Sequence, residues 1–236
     1  MQQLTLFSNT ASHTLRRYAH SRLRKKAKQS KGAPADWDLW TQETEVEKEM
    51  ALFFLDIRNF TPLIEKYPAS DVIHIVKKLF STFQNIIRAH HGCIVETSGD
   101  GFYAAFGVED HVKAAVNEAV NAGVAILETL ENLNVQSFEK NLQQRIEVGI
   151  GVHVGKVATG NIQLGSKDHF LVMGYPVNVA SRLQAATKEL NNNFIISSAV
   201  FNMLTNPPKN SASAKINLKG VKMSCEVHLI GRAYSA

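Results

Sequence analysis

The strongest pattern in the chain is an unbroken apolar run, Ala51-Leu52-Phe53-Phe54-Leu55, that stops abruptly on Asp56. Such a run predicts a strand buried on both faces, because a half-exposed strand would alternate. Two shorter runs, Cys93 to Val95 and Phe102 to Phe106, flank Ser98-Gly99-Asp100-Gly101 and predict a hairpin. Between the first strand and this hairpin, helical spacing takes over. Ser70 is placed to cap a helix that carries Val72, Val76, Leu79, Phe83 and Ile86 on one face and stops at Gly92. Asp110 is placed to cap a second helix, with Val112, Val116, Ala119, Gly123, Ile126 and Leu130 in phase. The stretch from Leu133 to Gln144 reads as polar connection.

Alternation resumes from Arg145 to His153 and puts Ile146, Val148, Ile150 and Val152 on one strand face. His153 reads as a strand-end residue, since no second His or Cys stands at metal-site spacing. Further on, Pro176 suits the first turn of a helix whose buried stripe is Val179, Leu183, Ala186 and Leu190. Asn178 and Arg182, four apart, share an adjacent face of that helix. No internal repeat or low-complexity segment interrupts this order.

Composition adds the class of protein. With 236 residues, 44% hydrophobic and 20% charged, the chain can bury the core of one domain. Its two cysteines, Cys93 and Cys225, offer no disulfide framework, and no signal peptide or long apolar span is visible, so a cytoplasmic protein is expected. The net charge of +5 is unevenly spread. Residues 1–31 hold eight Lys or Arg and no Asp or Glu, leaving 18 basic and 21 acidic residues elsewhere. Such a tail can touch anionic lipid or a regulatory partner, or stand solvated; no base-reading motif accompanies it, so no specific nucleic acid is expected. Gly32-Ala33-Pro34-Ala35 breaks any helix, and Trp37 and Trp40 follow. The expected division is a basic extension and linker over 1–45 and one domain over 46–236.

The candidate chemistry starts from Asp56. A carboxylate at the end of a buried strand needs a cap or a cation. Asp100 needs no function taken alone, since Asp-Gly is an ordinary hairpin turn. Together, carboxylates at the ends of neighbouring strands form the oxygen-rich cradle that magnesium shares with substrate phosphates. Three segments, Asp56-Ile57-Arg58-Asn59-Phe60-Thr61, Glu96-Thr97-Ser98-Gly99-Asp100-Gly101 and Gly174-Tyr175-Pro176-Val177-Asn178-Val179-Ala180-Ser181-Arg182-Leu183, occur in this order. In residues, order and spacing they resemble the motifs of class III nucleotidyl cyclase catalytic domains, over about Val46 to Ile230.

That resemblance implies an α/β (α+β) fold of the ferredoxin-like palm type. Its largely antiparallel sheet would run strand-helix-helix-strand-strand-helix-strand at its heart, with helices packed on one face. It implies two Mg2+ or Mn2+ ions per active site, with Asp56, Ile57 and Asp100 at the metals. Asn178 is then expected to orient the ribose and Arg182 to steady the transition state. Phe60, Thr61, Glu96, Lys156, Leu171 and Lys219 are expected at the substrate, although both lysines also suit surface positions. The implied reaction converts a purine nucleoside triphosphate, ATP or GTP, into its 3′,5′-cyclic monophosphate and pyrophosphate. A homodimer with active sites at the interface is implied too, because in the family one nucleotide is served by both protomers.

The base is where this sequence departs from its relatives. Adenylyl members usually carry lysine and aspartate or threonine at the positions of Glu96 and Leu171, and guanylyl members glutamate and cysteine. Glu96 matches the guanylyl pattern and can accept from guanine N1 and N2, whereas Leu171 has no side-chain hydrogen bond to give. Weak purine discrimination is expected. A pyrimidine cyclase on the same scaffold, or a catalytically silent nucleotide-binding regulatory domain, are the alternatives. The Gly-Gly-Asp/Glu-Glu-Phe signature of diguanylate cyclases is absent.

Overall fold

A computed structural model describes residues 46–235 apart from 165–166, 210 and 221–223. The basic extension, the Gly-Pro break and the two tryptophans therefore lie outside the described residues. Contacts divide the rest into two compact units, residues 48–157 with 172–235, and residues 46–47 with 158–171.

The elements, in order, are strand β1 (Val46–Ile57), helices α1 (Phe60–Lys66) and α2 (Ala69–Ala89), and the hairpin β2 (Gly92–Ser98) and β3 (Gly101–Phe106). Helix α3 (Val112–Leu133), a π-helical turn (Asn134–Phe138) and the short α4 (Glu139–Leu142) follow, then strands β4 (Val148–Leu164) and β5 (Lys167–Met173). Helix α5 (Tyr175–Glu189), strand β6 (Phe194–Ser197), short α6 (Ser198–Phe201) and strands β7 (Ala212–Ile216) and β8 (Cys225–Leu229) complete the chain. Strand order across the sheet is β2-β3-β1-β4-β6-β8-β7, and the far part of β4 pairs with β5. In the second unit Thr159 donates to the Val46 carbonyl at 3.1 Å.

The heart of the sheet has the expected order, β1-α1-α2-β2-β3-α3-β4. Its pairings are antiparallel for β1 with β3 and for β2 with β3, and parallel for β4 with β6. The apolar run of β1 is buried, apart from half-buried Phe54, which stacks on Tyr103 with ring centroids 4.9 Å apart. The face bearing Phe53, Leu55, Ile150, Val152, Phe194 and Ile196 meets α2 and α3 in one core. Ile146, Val148, Ile150 and Val152 are all buried, as their alternation predicts.

Helix α5 adds a partial layer on the reverse face, where Val179, Leu183 and Ala186 pack with Ile195 and Val227. Glycine makes this layer possible. A Cβ on Gly151 would lie 2.2 Å from the Gln184 backbone nitrogen and 2.8 Å from the Ala180 carbonyl oxygen, so the helix rests directly on β4.

Several local expectations are corrected. Pro68, not Ser70, stands at the N-cap of α2, and Ser70 lies inside the first turn. Helix α2 ends at Ala89, and Gly92 already belongs to β2. Its buried stripe is Val72, Ile75, Leu79, Phe83 and Ile87, with Val76 and Ile86 at the margin of the core. His111, not Asp110, precedes the first turn of α3, and no side chain caps it. The stretch 133–144 is structured: Phe138 is core, and buried Asn134 exchanges two hydrogen bonds with the Ile146 backbone, at 2.9 and 2.8 Å. His153 sits inside β4, half-buried beside the Ser197 hydroxyl at 2.9 Å, and burial pushes its pKa down to about 4.

Candidate active site

Asp56 is the penultimate residue of β1 and faces Gly101 across the ladder. The Ile57 amide donates to the Asp100 carbonyl at 3.0 Å. The hairpin turn and the strand end thus meet, and three metal-assigned positions, Asp56, Ile57 and Asp100, stand together. The turn is made by Gly99, whose φ of 56° suits a residue without a Cβ, and by Asp100. Beyond the strand, Asn59 takes a left-handed conformation and α1 begins at once, with Phe60 half-buried and Thr61 exposed in its first turn.

The Asp56 side chain is 34% exposed, and its pKa is raised to about 6. Burial is the main cause and the neighbouring Asp100 carboxylate adds to it. Two groups act the other way. Arg58 donates to Asp56 Oδ2 at 2.7 Å, and the Gln184 amide lies close enough to favour the ionised carboxylate, although its buried Nε2 completes no hydrogen bond. Beneath them, Gln184 Nε2, the Thr187 hydroxyl and the Tyr234 hydroxyl gather around Gly149, where a Cβ would meet all three within 3.2 Å. The tail bearing Tyr234 is fixed by Asn191, Asn192 and Asn193, whose side chains accept from the backbone amides of Tyr234, Gly231 and Arg232 at 2.8–3.1 Å.

Asn178 and Arg182 project from the exposed side of α5. Gln184, on the same helix, is buried. At about 100° per residue, Arg182 and Gln184 point to nearly opposite sides. Arg182 therefore faces away from the side of its helix that lies near Asp56.

Glu96 is exposed on β2 opposite Tyr103, just after a register shift between Ile94 and Glu96. The Tyr103 hydroxyl donates to the Val172 carbonyl at 2.8 Å, and its pKa is pushed up to about 12 by burial and by Glu96. Leu171 is 36% exposed in the second compact unit. Lys156 on β4 and Lys219 beside Gly220 are exposed.

Residues 42–231 match the profile of the adenylate and guanylate cyclase catalytic domain. The chain belongs to that family. It is 27% identical over 172 residues to Adenylate cyclase 1 of Rhizobium meliloti, covering 71% of this chain and 26% of that protein. The chain spans about a quarter of the length of the curated relatives it matches. Among solved structures, the adenylyl cyclase CyaB from P. aeruginosa superposes with a TM-score of 0.69 at 22% identity, over 82% of this chain and 97% of that one. The guanylyl cyclase Cya2 gives 0.71 at 24% identity, over 80% and 95%. These two likenesses establish the fold.

Within this cyclase domain the structure adds residues that sequence reasoning missed. Arg58 was visible only as the third residue of a motif, although its i, i+2 spacing from Asp56 on a strand signals a shared face. Gln184, Tyr103 and Tyr234 carry no local signal, because their partners are distant in sequence. A shallow apolar groove of about 250 Å³ lies between α1 and α2, bordered by Phe60, Ile73 and Gly99. Lys77 is the one charged residue in its lining, which does not suit a triphosphate. No helix among the described residues is long and apolar enough to cross a membrane.

Proposed function

We propose that this chain cyclises a purine nucleoside triphosphate, releasing pyrophosphate, at sites completed by two copies of itself. The single observation that carries the reading is the meeting of Asp56 and Asp100 at paired strand ends, in a domain of the cyclase family.

Among the described residues no group of three His, Cys, Asp or Glu forms a cage for a metal ion. A pair of carboxylates is nevertheless the donor set that Mg2+ or Mn2+ uses when phosphates and water supply the remaining ligands. The fit is supported by the raised pKa of Asp56, which comes first from burial and second from the neighbouring Asp100 carboxylate, and by the close approach of β3 at Gly101, where a Cβ would lie 3.0 Å from Asp56 Oδ1. Asp56 and Asp100, with the Ile57 backbone between them, would hold the ions. Two bound cations would acidify the ribose 3′-hydroxyl and neutralise the triphosphate.

The remaining work falls to side chains. Arg182 stabilises charge growing on the α-phosphate oxygens, and Asn178 orients the ribose so that the 3′-oxygen lies in line with the leaving pyrophosphate. Since Arg182 points away from its own Asp56, the two sets of groups serve one nucleotide only across a dimer. Met173 at the end of β5 and Tyr175 at the start of α5, 64% and 56% exposed, give a second copy apolar surface to cover. Glu96 accepts from the base edge beside Tyr103, Phe60 and Thr61 lie against the phosphates, and Lys156 and Lys219 supply positive charge to them.

Incubating the purified protein with Mn2+ and each of ATP, GTP, CTP and UTP tests this reading. A 3′,5′-cyclic purine nucleotide and equimolar pyrophosphate are expected. Preference for UTP or CTP overturns the purine assignment, and no cyclic product from any of the four overturns catalysis.

A further inference from the structure

Side chains alternate along β1, so Phe53, Leu55 and Ile57 enter the core with α2 and α3 while Asp56 stands on the reverse face of the sheet. The neighbouring strand β4 alternates in the same way. Val148, Ile150 and Val152 enter that core, and Gly149 and Gly151 open toward helix α5. The Arg58 amide donates to the Glu147 carbonyl at 2.7 Å, which sets the end of β1 beside the start of β4, two residues ahead of Gly149. Asp56 and Gln184 therefore share one face at one end of the sheet.

Gln184 has little freedom there. Its backbone is seated on Gly151, where a Cβ would lie 2.2 Å from the Gln184 nitrogen, and its side chain turns to Gly149, where a Cβ would lie 3.2 Å from Nε2. The residue is only 9% exposed, yet Nε2 has no hydrogen-bond partner. The Thr187 hydroxyl donates to the Gln184 backbone carbonyl at 2.6 Å, and Arg58 occupies Oδ2 of Asp56 at 2.7 Å. Buried donors are almost always satisfied, so an open one held beside a carboxylate points to a role other than stability.

We propose that Gln184 is a positioning residue for Asp56: its amide, anchored through α5 on β4, restrains the carboxylate in the orientation that receives divalent cations. The proposal rests on the reading of Asp56 as a metal ligand. A carboxylate has about four lone-pair sites, so an amide can hold one while cations take others. Hydrogen-bonded neighbours of this kind orient a ligand in advance, and their loss weakens metal binding although they never touch the ion. Arg182, two residues earlier, leaves α5 on the other side. One helix thus steadies a metal ligand of its own chain and serves the nucleotide of the partner's site.

The test reads metal binding without turnover. Mn2+ binding to the full chain, free of nucleotide, is followed by electron paramagnetic resonance. Gln184→Met keeps the bulk and loses the amide, and its Mn2+ dissociation constant should rise roughly tenfold. Thr187→Val removes a hydroxyl of the same buried cluster that is bonded to the helix's own backbone, and should bind Mn2+ as the parent does. Cyclisation gives a second readout. Gln184→Met should need more Mn2+ for its half-maximal rate and regain the parent's kcat at saturating Mn2+, a split that a general loss of packing does not produce. If Gln184→Met does not fold, Gln184→Asn retracts the amide by one methylene and is expected to weaken Mn2+ binding in the same direction. Parental Mn2+ affinity in a folded Gln184 variant overturns the proposal, and so does equal weakening in Thr187→Val, which would assign the effect to packing. Mn2+ binding that is absent from the parent, or unaffected by Asp56→Asn, overturns the metal-ligand reading itself.

Discussion

Ile57 and Asp100 are joined backbone to backbone at 3.0 Å, and this one hydrogen bond sets the Asp56 and Asp100 carboxylates side by side. Without metal the pair repels. From sequence alone, Asn at either position should leave metal-free stability unchanged or raised. The Arg58 contact separates the two: Asp100→Asn relieves repulsion, whereas Asp56→Asn also strips Arg58 of its ion-pair partner. Asp100→Asn is expected to melt a few degrees above the parent in EDTA, from about 1 kcal/mol or less once solvent screening is allowed for, and Asp56→Asn to gain less. Both should lose cyclisation. Equal rises in melting temperature would show that Arg58 contributes nothing to holding Asp56.

The raised pKa of Asp56 has a sign in pH. Its folded value of about 6 exceeds the ordinary 3.8, so between those values the folded chain binds more protons than the unfolded one. This contribution favours folding below pH 3.8 and is lost as pH rises through about 6, opposite to the usual acid denaturation. The difference in stability between the parent and Asp56→Asn, from urea melts in EDTA, should therefore change across this window in the parent's disfavour as pH rises. A flat difference would mean that Asp56 ionises normally in the folded protein.

Gly151 is a packing requirement. A Cβ there would strike helix backbone at 2.2 and 2.8 Å, which no side-chain rotation relieves, so Gly151→Ala must lift α5 from β4. A loss of about 3 kcal/mol is expected in urea melts, with falling activity because Asn178 and Arg182 ride on that helix. Native-like stability would show that the helix seat is looser than it stands here.

Glu96, opposite Tyr103 across the hairpin, is the residue proposed to read the base edge. Glu96→Lys should shift the ratio of kcat/KM for ATP over GTP toward ATP by about tenfold or more, as loss of a charge-assisted contact of about 1.5 to 3 kcal/mol allows. A ratio equal to the parent's would remove Glu96 from the base pocket.

The parts legible in the sequence were those with local causes. The β2–β3 hairpin was visible because Gly99 and Asp100 supply the turn, and the face of β4 because alternation has a strict period of two. Helix starts were misplaced because Ser70 and Asp110 have capping side chains, while the backbone ahead of α2 and α3 is set by Pro68 and His111. The segment 133–144 looked polar, yet Arg145 bridges Glu131, at 2.5 Å, and Glu139, and the Tyr67 hydroxyl donates to the Leu142 carbonyl. Asp56 and Asp100 announced themselves as carboxylates among apolar residues. Arg58, Gln184 and Tyr234 did not, since what matters for them is which distant strand or helix lies underneath.

The opposed directions of Arg182 and Gln184 on α5 lead to the most direct test of a cyclase site shared between two copies. Purified Asp56→Asn and Arg182→Ala, each inactive alone, are mixed under conditions in which subunit exchange is demonstrated, and cyclic nucleotide is measured. A mixed dimer contains one intact site and one doubly broken site, so at equal amounts about a quarter of the parent's activity is expected, half the dimers being mixed with one working site each. A mixture that exchanges subunits and stays inactive contradicts the shared site.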